Sequence, residues 1–345
     1  MKKLIVVITL VFVFICSSCD LFNEPYSETL DVWNFCLIDS DGSNYKVLGE
    51  LERYTSKYFV NEDSQILFID RFDIHGYELR LMDIDGSNIQ IINTDLNIGS
   101  NSISPNHSKI AFIGSNGSSS DIYIMDYDGS NLQKVTNSDI SLAGISSFSN
   151  DGQYIVFNSS GSEIQYIEIL TGNVFTVLTD YYISNATEVI YRYPKFGKDD
   201  NIVFYIFGYR NTDDNSLVTA LCSANLGEHN VKIIENDIAR YSRFVVSPAS
   251  EQIAFGSSDN IKHLNITDYN GLNKHDFGEM ASTILIDISA DGSKLVYGSE
   301  DLEYNNDISI INMSDLTKTV IAEGSSPVIS ADGSKVCFVR KEVIK

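Results

Sequence analysis

Positive charge is scarce in this sequence. Lysine and arginine number 24 against 47 aspartates and glutamates, a formal net charge of −23, and so acidic a surface repels nucleic acid and anionic lipid headgroups. Nucleic acid is therefore excluded as a partner. Long apolar runs are missing too. The run from Leu4 to Ile15 has twelve residues, too few to cross a bilayer but enough for the apolar centre of a secretory signal. There is no Gly-x-Ser-x-Gly and no His-Glu-x-x-His, so neither a nucleophile elbow nor a zinc-peptidase helix can be read. The histidines, His75, His107, His229, His263 and His275, have no paired spacing. Such scatter gives no basis for a metal or a cofactor, and none is expected.

What the sequence does contain is repetition. Asp126-Tyr127-Asp128-Gly129-Ser130-Asn131 has near copies at Asp39 to Asn44 and Asp83 to Asn88. Gly tolerates positive φ, and Asp and Asn side chains bond nearby backbone, so each copy reads as a hairpin turn between short strands. The turn glycines Gly42, Gly86, Gly129 and Gly172 are 44, 43 and 43 residues apart. A second pattern, apolar residue, polar turn, apolar run, recurs half a period out of phase. It spans Phe59 to Phe68, Ile103 to Phe112, Phe148 to Phe157, Phe196 to Phe204, Val246 to Phe255, Ile288 to Tyr297 and Ile329 to Phe338. Two hairpins per period of forty-odd residues, repeated seven times, predict an all-β, seven-bladed β-propeller of four-stranded antiparallel blades. Six or eight blades is the alternative, because the repeat fades around residues 180 to 240.

The chain begins in mid-blade, with strands expected over Trp33 to Leu48, and finishes with strands over Pro327 to Arg340. The two ends should share one blade and so remove the free edges an open ring would expose. Numbering from that closing blade as blade one, the copies follow as blades two to seven. Cys36 and Cys337 fall on its adjacent strands. A disulfide there stays open beside the plainer reading, in which these two and Cys222 are buried thiols.

Ahead of the ring, Lys2, Lys3, the apolar run and Cys16-Ser17-Ser18-Cys19 resemble a bacterial lipoprotein signal. The resemblance implies cleavage after residue 18, lipid on Cys19, a tether over 19–32 and a propeller over 33–345. The polypeptide would then sit in the cell envelope, periplasmic or surface side, anchored to a membrane by its lipid. Loss of Lys2 and Lys3 would take the net charge from −23 to −25.

The words I-Y-I-M-D-Y-D-G-S-N-L-Q-K-V-T, S-A-D-G-S-K-L-V-Y and S-A-D-G-S-K-V-C-F resemble the repeats of TolB-like propellers. That resemblance implies the fold and a monomeric, noncatalytic platform for an envelope protein or peptide. Similar repeats in oligogalacturonate lyases leave a carbohydrate-binding or lyase-like propeller as the alternative. TolB's own amino-terminal domain has no counterpart expected here.

Recognition on a rigid frame belongs to its variable loops, here opposite the Asp-Gly turns. Counting back five residues from each innermost-strand anchor brings Tyr54, Tyr191 and Tyr241 into one register, beside Arg53, Arg192, Tyr193, Arg240 and Arg243. This Arg and Tyr mouth is the candidate ligand site, suited to a carboxylate, a sugar or an inserted peptide. The alternative is that the arginines neutralise nearby aspartates and the tyrosines pack between blades. The longest loops are expected at Asp180 to Ile190 and Gly208 to Ser216, both serving blade five.

Overall fold

The structure is a computed structural model. It describes residues 30–344 apart from 52–53, 74–75, 93, 117–119, 137–141, 160–162, 179–185, 229, 239–242, 258–261, 281–283 and 300–305. The signal, Cys19 and most of the tether lie outside the described residues.

Alternating residues along the middle strands feed two different cores, Ile110 and Phe112 one and Ala111 the other, which is why those strands read as apolar on both faces. The chain opens with β1 (Leu30–Asp39) and β2 (Lys46–Leu51). Blade two is β3 (Tyr54–Val60), β4 (Gln65–Asp73), β5 (Gly76–Asp83) and β6 (Gln90–Ile92). Blade three is β7 (Asn97–Ile103), β8 (Lys109–Ser115), β9 (Ser120–Asp126) and β10 (Gln133–Lys134). Blade four is β11 (Leu142–Phe148), β12 (Tyr154–Ser159), β13 (Ile164–Glu168) and β14 (Val174–Leu178). Blade five is β15 (Ala186–Phe196), β16 (Ile202–Asn211), β17 (Leu217–Asn225) and β18 (Val231–Asn236). Blade six is β19 (Phe244–Ser247), β20 (Gln252–Gly256), β21 (Lys262–Asp268) and β22 (His275–Met280). Each of these five is an antiparallel four-stranded sheet in chain order.

The remaining strands, β23 (Ile284–Ile288), β24 (Lys294–Ser299), β25 (Asn306–Asn312), β26 (Lys318–Ile329) and β27 (Lys335–Ile344), join β1 and β2 in one seven-stranded sheet. Its register resolves it into two blades. The first half of β26 pairs with β25, from Lys318 to Gly324, and the second half pairs with β27, from Ser325 to Ile329. One strand is thus outermost in blade seven and innermost in blade one. Closure by the two ends follows the sequence reading: β1 runs against β27 from Leu30↔Ile344 to Asp39↔Lys335. Seven apolar cores fill the spaces between neighbouring blades, completing a ring of seven. Each fully buried Phe or Leu in them contributes about 1.5–3 kcal/mol by leaving water.

The closing blade also decides the cysteine question. Cys36 stands opposite Phe338, and Cys337 opposite Leu37. Because successive side chains point to opposite faces, Cys36 belongs to the core shared with blade seven and Cys337 to the core shared with blade two. Both are free thiols, with the sheet itself between them, so no disulfide joins them.

The three Asp-x-Asp-Gly-Ser-Asn segments form one and the same turn. In the second copy Gly86 N–H donates to Asp83 O at 2.9 Å and Ser87 N–H to Asp85 Oδ1 at 2.9 Å, while Asn88 Nδ2 donates to Asp83 Oδ2 at 2.7 Å. Glycine is required twice over there. Its φ is +89°, and a Cβ would lie 2.6 Å from Leu48 O on the outermost strand of the preceding blade. The hairpin turn is therefore also an interblade joint. A second joint lies in the turns between first and second strands. Asp63 accepts from Ala331 and Asp332 N–H at 3.0 and 3.1 Å, and Asp200 from Asn150 and Asp151 N–H at 2.7 and 3.1 Å.

Blade five departs from the sequence reading. Part of what was expected as long loops is strand, since β15 begins at Ala186 and β16 runs on to Asn211. Ala186 and Asn211 pair at that far end.

Candidate functional site

All seven innermost strands, β3, β7, β11, β15, β19, β23 and the second half of β26, line one central cavity of about 740 Å³. It follows β7 from Ile98 to Ile103 and reaches His107 in the turn beyond. The cavity is polar in a specific way: Lys57, Lys195 and Arg243 line it, against the single carboxylate of Asp287 among its described lining residues. Tyr58, Tyr193 and Asn101 stand among them.

Hydrogen bonds hold these side chains between neighbouring blades. The buried Lys57 donates from Nζ to Ser326 O. Tyr58 donates from its hydroxyl to Asn101 Oδ1 at 2.6 Å. Asp287 Oδ2 accepts from Ile329 N–H at 2.9 Å. Ser100 Oγ donates to Ile145 O at 3.0 Å, tying blade three to blade four. Each group is fixed by a bond that also binds the ring, so the lining is preorganised.

Burial shifts the charges. Desolvation lowers Lys57 to about 8, opposed by the nearby Cys337 and Asp287. Lys195 is lowered for the same reason, with Asp287 opposing and Arg243 reinforcing. Desolvation raises Asp287, against the backbone N–H groups of Ile329 and Ile288. Tyr58 is pushed up to about 12 by burial. Shifts of this kind concentrate where a protein has work for charged groups to do.

Of the Arg and Tyr mouth, the structure brings Tyr193 and Arg243 to the cavity. Tyr191 is elsewhere. It is buried in the core between blades four and five, its ring centroid 5.8 Å from that of Tyr205 and 5.4 Å from that of Phe207. Its packing is the alternative foreseen for these tyrosines. Arg192 is half-buried on β15 and is not among the cavity-lining residues. Tyr54 starts β3; Arg53, Arg240 and Tyr241 lie outside the described residues.

The count of five residues from each anchor fails for a physical reason. The innermost strands carry bulges between anchor and mouth, at Tyr54/Ser56, Ile98/Asn101, Arg192/Lys195 and Ser325/Val328. An extra residue switches every side chain beyond it to the other face. The residues missed, Lys57, Lys195 and Asp287, sit closer to their anchors than the count reached. The signal for them was a charged residue beside the apolar anchor of an innermost strand, as in K-Y-F, P-K-F and L-I-D-I. His107 is a further difference. It does sit in a repeated turn, with φ 54° and Nδ1 3.8 Å from Asp63 Oδ1, yet it reaches the cavity wall. Among the described residues no three His, Cys, Asp or Glu side chains converge as a metal ion would need; His75 and His229 lie outside them.

No family model matches the sequence, and no curated protein matches it. Solved structures do. TolB from Acinetobacter baumannii is similar with a TM-score of 0.53 and 18% identity, covering 81% of this chain and 64% of that one. The chain thus spans less than two thirds of that protein's length. A putative TolB from Agrobacterium tumefaciens has a TM-score of 0.53 and 14% identity, over 91% of this chain and 100% of its own. Oligogalacturonate lyase from Vibrio parahaemolyticus reaches a TM-score of 0.58 at 15% identity, over 90% and 98%. Identities this low carry the fold alone: the chain is an all-β propeller with distant structural similarity to TolB and to oligogalacturonate lyase.

Proposed function

We propose that this protein is a lipid-anchored propeller of the bacterial cell envelope that binds another envelope protein without catalysis, using the central channel and its mouth. The observation that carries the reading is the channel lining. Three cations and two tyrosines line one cavity in a chain whose formal net charge is −23, supplied by blades two, five and six. A rigid ring with a fixed, charged hole suits recognition by preorganised groups. Likeness of fold to TolB supports a platform role, and the Cys19 signal supports the anchor.

The test uses the full chain expressed in a bacterium. Cys19→Ser should move it from the membrane to the soluble fraction and abolish labelling by a palmitate analogue. Cross-linked partners from the envelope fraction should then be compared between wild type and Tyr193→Ala with Arg243→Ala. Loss of the partner supports the channel as the site; an identical partner profile overturns it.

A second reading, a carbohydrate-binding propeller, draws on Tyr193 and Tyr58 beside Asn101 in the same cavity. Aromatic faces with amide donors suit sugar rings. Release of an ultraviolet-absorbing product from an acidic oligosaccharide would favour it over the platform.

A further inference from the structure

Two neighbouring outer strands differ from the rest of the rim. Ile89 and Ile91, at β6 of blade two, are 57% and 61% exposed, and Tyr45 and Val47, at β2 of blade one, are 41% and 50% exposed. On or beside the other outer strands, among the described residues, exposed large apolar side chains come singly, as Leu132, Phe175, Ile233 and Val320. The four form one surface. The Gly86 turn, which leads into Ile89, packs against Leu48 O of β2, where a Cβ on the glycine would lie 2.6 Å away. Ile91 stands opposite Arg80, two residues from Met82 of the core between blades one and two, so it faces blade one. Val47 stands opposite Cys36, whose core is shared with blade seven, so apolar side chains flank β2 on both sides. Acidic residues are missing here. Asn44 to Gly49 and Gly86 to Thr94 hold no Asp or Glu, and Lys46 is their one charged residue.

We propose that the rim of blades one and two is a docking face for the lipid bilayer, against which the ring stands edge-on. Residues 1–29 precede the described chain, which starts on β1, the strand beside β2. Ten residues, 20–29, separate Cys19 from Leu30, a span of at most about 35 Å. Lipid on Cys19 therefore keeps blade one near the membrane, while blades four and five, three blades away around the ring, lie farthest from it. So short a tether holds the bilayer at an effective concentration on the order of millimolar, at which a patch too weak to bind alone still docks. Scattered exposed apolar residues need no partner, but a contiguous set beside a membrane tether marks a contact surface. The formal charge of −23 does not oppose the contact, because salt screens charges beyond about 8 Å and the two stretches themselves carry no carboxylate. This rests on the lipid-anchor reading and adds an orientation to it, one that leaves the mouth open to an envelope partner.

The test uses the full lipidated chain in vesicles of phosphatidylethanolamine and phosphatidylglycerol. Val47→Cys, Ile91→Cys and, as the far-side control, Ile233→Cys are each labelled with a polarity-sensitive fluorophore. Cys36, Cys222 and Cys337 are buried, so the introduced thiol is the one that reacts in the folded chain. Labels at positions 47 and 91 should shift to the blue and be quenched by brominated lipid, and the label at 233 should do neither. Ile89→Glu with Ile91→Glu, added to the Val47→Cys chain, should return its label to water while circular dichroism stays unchanged. The proposal is overturned if all three labels behave alike, or if the glutamate pair leaves the signal at position 47 intact. Burial of the labels in native envelope membranes but not in pure lipid would assign the rim to a protein and overturn it as well. Should fatty-acid labelling find no lipid on Cys19, the anchor reading falls by itself; the same labelled chains mixed with vesicles then decide this inference by the same readout.

Discussion

At the scale of single residues, two glycines separate two costs that usually come together. Gly86 and Gly227 both have positive φ, +89° and +78°, but a Cβ on Gly86 meets Leu48 O at 2.6 Å and one on Gly227 meets nothing within 4 Å. Gly227→Ala should cost about 1 kcal/mol, the backbone term alone. Gly86→Ala should cost about 1–3 kcal/mol more, because the neighbouring blade must move. Urea midpoints of the two variants give the comparison, and equal losses would mean that the turn does not join the blades. Lys57 gives a prediction in pH. Its folded value is about 8 against 10.5 unfolded, so between those values the unfolded chain binds more protons and stability rises with pH. Groups facing it are Cys337 and Asp287. Burial raises Cys337 and Cys36 above the ordinary 9.0, which makes stability fall as pH climbs past 9. The clean window is therefore pH 8 to 9, where wild type should gain at most about 1.4 kcal/mol per pH unit relative to Lys57→Met. A flat difference across that window would show that Lys57 is not desolvated as described.

At the scale of elements, the turns were far more legible than the innermost strands. Asp-x-Asp-Gly-Ser-Asn could be read because each of its side chains serves the turn that contains it: Asp83 holds Asn88 and Asp85 holds Ser87. Local chemistry leaves a local pattern. The channel lining depends instead on bulges such as Arg192/Lys195, whose position is set by packing across the ring and leaves no fixed spacing. Tyr193 and Arg243 were found because they stand beside counted positions, whereas Lys57 and Lys195 sit nearer their anchors than the count reached. Asp63 and Asp200 show the same limit. Nothing in their own sequence neighbourhood announces that each accepts two backbone N–H groups from another blade. Asp63→Ala and Asp200→Ala should each cost about 1–3 kcal/mol by orphaning those donors, and the matching Asn variants less, since one acceptor remains. Chemical denaturation of the four variants measures it; alanine and asparagine alike in effect would argue against the bonds.

At the scale of the molecule, closure was legible because half a blade at each end of a repeating sequence has one arrangement that pairs all its strands. β1 and β27 pair over their full length, which ties the first described residues to the last. Removal of residues 335–345 should leave β1 and β26 as unpaired edges, abolish the sharp thermal transition and promote self-association. Calorimetry and sizing chromatography of the truncated chain report on this, and a monomer melting as sharply as wild type would contradict ring closure. The cysteines follow from the same blade. Cys36 and Cys337 should both be alkylated in denaturant without prior reduction, because the sheet keeps their sulfurs on opposite faces.

β26 runs unbroken from an outermost strand to an innermost one, with Val320 half exposed at the periphery and Val328 on the channel wall. A wheel with one such spoke has its rim and hub on a single length of backbone. Anything that grips the propeller around Val320 is therefore mechanically in touch with Ser326, the carbonyl that holds Lys57.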